Sequence, residues 1–546
     1  MRPREVTVLK RVLIAICLIA TVSLAAQQRA PQNESIRQED LRADLFFLAG
    51  DAMRGRLTDT VENRATGDYI RSRFERLGLK PAGAGNSYFQ NYNLMTATLG
   101  EGNALAVTGG GGGARRYRHG QEFYPQRFGA SGQVTAPVVF TGFGIGAPRW
   151  RHDDYNGDVK GKIVLVLDHE PGERDPDSPF EGVVTAEPAA AWRKALAAQE
   201  KGAAAILFVS DIHNHPGTAN FEQTARNVWP EARPHLRTFT LAAWADRIHI
   251  PAAQISPALA ASLVAGTGKT LAELGKAAEA ARGFTPLPLP GVEIELTTAV
   301  DRHTIPDRNV VALLEGSDPK LKDEWVIVSA HFDHNGDQVF AGADDNGSGT
   351  VALLEIADAY ALAAQQGRRP RRSILFAAWN SEERGLLGAW AYTEEPLAPL
   401  TTIAAVLNMD MIGRNEEVQV GGGARFNGFE VQSAESNSNT LNVMGFARTP
   451  DLSAAIDKAN AGISLELKRR YDNNLSNLVR RSDQWPFLQR GVPALGFMTG
   501  LHPDYHTVYD RPEKINYVKM EKIARLIHQA SWDLANADSR PKPVAP

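Results

Sequence analysis

Residues 325–365 read WVIVSAHFDHNGDQVFAGADDNGSGTVALLEIADAYALAAQ. Trp325–Ala330 is an apolar run of strand length, rich in β-branched residues. It ends on His331 and Asp333, a glycine-rich loop with Asp344 and Asp345 follows, and Thr350–Gln365 is an apolar-rich helical stretch. The same succession recurs downstream. Ser373–Trp379 is strand-like and leads to Glu382, Glu383 and a helical pattern at Gly385–Thr393. Ile403–Leu407 leads to Asp410, Pro493–Phe497 leads to Tyr505 and His506, and Lys519–Ala535 reads as a closing helix. Strands alternating with helices predict an α/β fold, a mostly parallel twisted sheet with helices on both faces.

In open α/β sheets, functional groups gather at the carboxyl ends of the strands. Here five segments carry His, Asp and Glu to that rim. The set suits Zn²⁺, which binds imidazole nitrogen and carboxylate oxygen and keeps a position for water at a catalytic site. Two such ions about 3.5–4 Å apart can share a carboxylate and a hydroxide. A carboxylate outside the ligand set must then take the proton, because a ligand carboxylate is already committed. The adjacent pair Glu382-Glu383 fits this division of labour. Asp333, two residues past His331, is placed to accept the other imidazole N–H and fix its tautomer.

Working outward, Val292 returns the chain to strands after the proline-rich stretch Pro286, Pro288, Pro290. Before it lies a self-contained α/β unit, residues 131–290. Its expected elements are strands at Val134–Phe140, Gly161–Leu167, Ala203–Val209 and Ile250–Ile255, with helices at Ala189–Lys201 and Pro257–Val264. Upstream, Ser35–Gly50 and Glu62–Leu77 read as helices, with Gly78 as a stop. The five glycines Gly109–Gly113 read as a turn between strands. The part built on the first sheet is expected over 27–130 and 291–546.

The first 26 residues read as a secretory signal peptide. Arg2, Arg4, Lys10 and Arg11 precede the apolar run Val12–Leu24, and the small residues Ala25 and Ala26 follow. The expectation is a secreted or periplasmic protein with no stable membrane span after cleavage. Cys17 is the only cysteine, so the mature chain has no disulfides or thiolate ligands. A formal net charge of −4 argues against nucleic acid as a partner.

The segments His331-Phe-Asp333, Gly342-Ala-Asp-Asp-Asn-Gly-Ser-Gly349, Asn380-Ser-Glu-Glu383, Asn408-Met-Asp410 and Tyr505-His506-Thr507 resemble the co-catalytic di-zinc exopeptidases. That family includes bacterial leucyl aminopeptidase and glutamate carboxypeptidases. All five motifs stand in the family's order. The inserted unit resembles the protease-associated domain of many members. The resemblance implies two Zn²⁺ per chain and peptide substrates. Asp345 would bridge the metals, His331 and Asp410 would complete one site, and Glu383 and His506 the other. Glu382 would be the general base, and Tyr505 would stabilise the tetrahedral oxyanion. The implied reaction is hydrolysis of a terminal peptide bond by a metal-bridged hydroxide, in an aminopeptidase. A carboxypeptidase or dipeptidase on the same metals, a non-catalytic binding protein of the same fold, and a single-zinc glutaminyl cyclase are the rival readings. One departure is Ser482-Asp483-Gln484, where members often carry Ser-Asp-His.

Four further features have a plain and a functional reading. Gly142, Gly144 and Gly146 form a strand-end turn rather than a nucleotide loop. His213 and His215 could bind metal or stand on a polar loop. Asp168, Glu170, Glu173, Asp175 and Asp177 form a solvated acidic loop, with calcium as the alternative. Arg480 and Arg481 form a solvated basic pair or a clamp for a substrate carboxylate.

Overall fold

Two sheets organise the chain. The computed structural model describes residues 29–542 apart from 110–111, 211–213, 216–219, 233, 235, 280–281 and 337–339. The expected signal peptide and His213 lie outside the described residues.

The first sheet has ten strands. Its centre runs Ser373–Trp379, Trp325–His331, Ile403–Met409, Ala494–Met498, all parallel. Three of these strands are buried at every residue, as parallel strands covered on both faces must be. Helices Gln38–Leu48, Gly349–Gln365 and Tyr517–Asn536 cover one face through Leu45, Leu353, Ile527 and their neighbours. Leu387–Glu394 and Gln484–Gln489 cover the other. Each fully buried Leu, Ile or Val contributes about 1.5–3 kcal/mol. The expected α/β layering is present. The parallel arrangement belongs to the centre, because Phe89–Leu99 and Val300–Leu314 form a long antiparallel pair that joins on at one edge. At the other edge Thr440–Met444 is antiparallel to Ala494–Met498.

The second sheet has eight strands and belongs to the inserted unit. Gly132–Phe140, Ile163–Leu167, Ala205–Val209 and Ala252–Ile255 are its parallel centre. Pairing reaches outside 131–290, from Ala104 to Thr298. Those outer strands are only partly buried, so no apolar run announces them in the sequence. The glycine run does join two antiparallel strands, Ala104–Gly109 and Gly112–Tyr117.

The insert is seated firmly on the first sheet. Trp192 and Trp244 stack at 4.3 Å, and Trp244 meets Trp390 edge-on at 5.8 Å. Arg490 bonds both Glu187 and Glu394. Thr240–Leu241, from the insert, adds an edge strand to Phe89–Leu99. Among the described residues, no helix is long and apolar enough to cross a membrane.

Candidate metal centre

The four central strands of the first sheet end on one rim, and each expected side chain follows its strand directly. His331 is the last residue of its strand. A tight turn after Ser373–Trp379 carries Glu382 and Glu383, entered through the left-handed Ser381. Asp410 follows Ile403–Met409, and His506 stands in the loop after Ala494–Met498.

Asp345 lies at the middle of the cluster. Its Oδ1 is 3.4 Å from His331 Nε2, and its Oδ2 is 2.9 Å from His506 Nε2. The two carboxylate oxygens thus face two different groups. On one side His331 Nε2 is 3.3 Å from Asp410 Oδ1 and 3.8 Å from Glu382 Oε2. On the other, His506 Nε2 is 3.3 Å from Glu383 Oε2, and His334 Nδ1 is 2.7 Å from Glu383 Oε1. Donor atoms within each group, His331/Glu382/Asp410 and His334/Asp345/Glu383/His506, lie within 4.8 Å of one another. His331 and His334 are fully buried, whereas the His506 side chain is 34 % exposed and marks the open edge.

His334 was not singled out from the sequence. It is the second imidazole of His-Phe-Asp-His, at a strand end, and that repetition was the available signal. Its Nε2 is buried without a hydrogen-bond partner.

Asp333 differs from expectation in detail. The carbonyl of Asp333, not its carboxylate, lies 3.1 Å from His331 Nδ1; the nearer carboxylate oxygen is 3.6 Å away. Its carboxylate instead accepts the backbone N–H groups of Glu382 and Glu383, at 3.0 and 3.3 Å. The tight turn after the strand leaves those N–H groups unpaired within the backbone, and the buried carboxylate satisfies them. Asp333 therefore orients the Glu-Glu turn.

The bridging loop is clamped from below. Asp510 accepts the N–H groups of Asp344 and Asp345, and Asp344 Oδ1 accepts those of Gly413 and Arg414. The buried Arg56 donates to four carbonyls, those of Leu48, Phe332, Ala341 and Gly342. Gly342 has φ +56°, and a Cβ there would sit 2.4 Å from the Asp345 carbonyl and 2.5 Å from the His334 ring. Only glycine fits.

Electrostatics sort the carboxylates. Burial pushes Glu382 well above its usual range, helped by the charges of Asp410, Asp483 and Glu383. Burial works against Glu383 too, but the His506 charge and the hydrogen bonds of His334 and His506 hold it low. Burial would lower His506, yet Glu383 and Asp345 push it up to about 10. Tyr505 stacks on the His506 ring at 3.8 Å. Burial and the neighbouring carboxylates hold its hydroxyl protonated.

The donor set fits divalent metal. Four carboxylates, Asp345, Glu382, Glu383 and Asp410, crowd three imidazoles in a largely buried space. Buried carboxylates in such excess need a cation. Nitrogen and oxygen donors without thiolate suit zinc.

Arg480 and Arg481 are not brought to the rim's charges. Burial lowers Arg480, and Glu170 of the insert is its main charge partner; Arg481 is exposed. Gln484, at the departure from Ser-Asp-His, donates to the Val479 carbonyl and accepts from Asn408.

Residues 309–531 match the sequence profile of peptidase family M28, and 134–263 match that of the PA domain. A probable glutamate carboxypeptidase of Arabidopsis thaliana is 31 % identical over 207 residues, 37 % of this chain and 26 % of that protein. An aminopeptidase of Mus musculus is 40 % identical over 106 residues, 19 % of this chain and 13 % of that protein. The chain thus matches about a quarter or less of these curated relatives' length. An aminopeptidase from Aneurinibacillus sp. strain AM-1 aligns over 94 % of this chain and 95 % of its own, at 18 % identity and a TM-score of 0.48. A zinc aminopeptidase from Bacillus subtilis aligns over 91 % and 95 %, at 18 % identity and a TM-score of 0.42. By these matches residues 309–531 resemble peptidase family M28, and residues 134–263, ahead of them, resemble a PA domain.

Proposed function

We propose that this chain is a secreted or periplasmic metallo-exopeptidase that holds two zinc ions on the rim and removes amino-terminal residues from peptides. The observation that carries the reading is Asp345, whose two oxygens face two separate donor groups. His331, Asp345 and Asp410 would hold one ion, and Asp345, Glu383 and His506 the other, with His334 beside the second. When bound, the pair would acidify a water and polarise the scissile carbonyl.

The chain's own residues supply the rest. The Glu382 carboxylate sits 3.8 Å from His331 Nε2 and can take a proton from water. It returns that proton to the departing amine. Tyr505 keeps its hydroxyl proton beside the carboxylates and can donate it to the oxygen that gains charge. Asp333 holds the Glu382-Glu383 turn in register.

Polarity of the rim favours the amino end of a substrate. Its carboxylates suit a cationic α-amine. The buried Arg56 spends its guanidinium on backbone carbonyls. The alternative on the same metals is a carboxypeptidase or dipeptidase; the Arabidopsis relative is named a probable glutamate carboxypeptidase.

The test is mass spectrometry of defined peptides incubated with the protein, with and without a zinc chelator. Chelator-sensitive loss of N-terminal residues is expected. Trimming from the C-terminus would replace the aminopeptidase reading with the carboxypeptidase one. No cleavage by folded, zinc-loaded protein would leave a binding protein.

A further inference from the structure

The insert repeats, on a smaller scale, the device of the rim. Ile163–Leu167 and Ala205–Val209 are neighbouring parallel strands at the centre of its sheet. The loop after the first carries His169 and Glu173, and the loop after the second carries His215. Parallel pairing brings both loops to the same edge, where groups from different strands can converge.

They do converge. Glu173 Oε2 is 3.2 Å from His169 Nδ1, and Glu173 Oε1 is 2.5 Å from His215 Nε2. The two imidazole rings stack at 4.3 Å, 28° from parallel, so both present an edge to the one carboxylate. The donor atoms of the three residues lie within 4.8 Å of one another. Glu173 Oε1 and His215 Nε2 are both shielded from solvent, and neither makes a hydrogen bond despite their approach. Two imidazole edges converging on one carboxylate gather nitrogen and oxygen donors around a common point, as a bound cation requires. Two imidazoles and one carboxylate are also a zinc ligand set that leaves room for water. The half-exposed histidine side chains, at 43 % and 39 %, leave that side open.

The surroundings hold this arrangement in place. Lys194 donates to the carbonyls of Leu167 and His169. Glu279 ties the two loops together, accepting from Gly172 N on one and Asn214 Nδ2 on the other. Other acids of the acidic run go elsewhere. Asp168 accepts from Gln254, Glu170 from Ala186 N, and Asp175 from Asp177 N.

We propose that His169, Glu173 and His215 form a third metal site, for a divalent transition ion of the zinc class, separate from the rim. Its role is structural. The loop that carries His169 and Glu173 runs on to Val183, whose N–H donates to Asn473 of the peptidase part, and Pro176 O accepts from Asn473 Nδ2. Gln489 donates to Glu181 at 3.2 Å. A metal joining the two loops would pin the insert's contact with the segment that leads to Ser482 and Asp483.

The experiment counts zinc per chain by mass spectrometry in the full-length protein, loaded with Zn²⁺ and then dialysed, for wild type, His215→Ala and His169→Ala/His215→Ala. The histidines are half exposed, so circular dichroism should match wild type. Glu173→Gln provides a second route if the alanine variants misfold. The expected result is a loss of one zinc equivalent in each variant, with peptide cleavage unchanged. The same count in an Asp345→Asn background separates this site from the rim. There, one zinc that disappears with His215→Ala supports the proposal even if the rim reading fails. An unchanged zinc count in every variant would overturn it, whatever the rim binds.

Discussion

The rim and the insert's strand ends use the same topology and differ in burial. Both place His and Glu in loops after neighbouring parallel strands. At the rim the groups other than His506 are largely buried, and groups behind them hold their loops, Asp333 under the Glu-Glu turn and Asp510 under the Asp344-Asp345 loop. In the insert His169 and His215 are half exposed, and Lys194 and Glu279 hold their loops without touching the imidazoles. Topology is enough to gather donors at a point. Burial makes them depend on a cation, because water no longer answers their charge. Orientation from behind makes a centre that can do chemistry.

The comparison can be broken first at Asp345. Asp345→Ala should remove both rim metals and abolish cleavage while leaving one insert metal, read by metal content and turnover. Retention of both rim metals would show that the two donor groups do not depend on the shared carboxylate. Glu382→Gln comes next. Turnover should fall about 10²–10⁴-fold with rim metal content unchanged, since only proton transfer is lost. Asp333→Ala tests support from behind. Metal affinity or activity should drop about 10–100-fold, with far-ultraviolet dichroism unchanged; a wild-type kcat/KM and metal affinity would make the carboxylate dispensable.

The smallest effect concerns a buried imidazole with no carboxylate beside it. His528 is fully buried, accepts from Asn33 and packs edge-on against Tyr360 at 4.8 Å. Burial pushes it down to about 3, whereas His506, among carboxylates, is pushed up to about 10. The folded value of His528 lies below its unfolded value, so the unfolded chain binds the extra proton. Stability is whole above about pH 6.5 and falls as pH drops toward 3, at ~1.4 kcal/mol per pH unit. His528→Gln should flatten that acid limb by the same slope in urea unfolding from pH 7 to 4. An unaltered slope would place the acid sensitivity elsewhere.

Much of the site was legible along the chain because each donor follows an apolar strand within a few residues. His331, Asp345, Glu382, Glu383, Asp410 and His506 all meet at the rim. His334 had no signal along the chain beyond standing three residues past His331. Arg56 escaped because its partners are backbone carbonyls, Phe332, Ala341 and Gly342 among them, that no side-chain pattern reveals. The outer strands of the insert escaped because half-exposed strands lack an apolar signature.

Sequence by itself determined the alternation of strands and helices, the order of the donors and the exclusion of thiolate ligands. These are local matters: periodicity, residue type and spacing along the chain. Tertiary structure alone decided that the Asp345 oxygens face opposite ways, that Asp333 serves the Glu-Glu turn rather than His331, and that His169 and His215 share one carboxylate. Each depends on distances between segments far apart in the chain, and those are set by sheet order and packing.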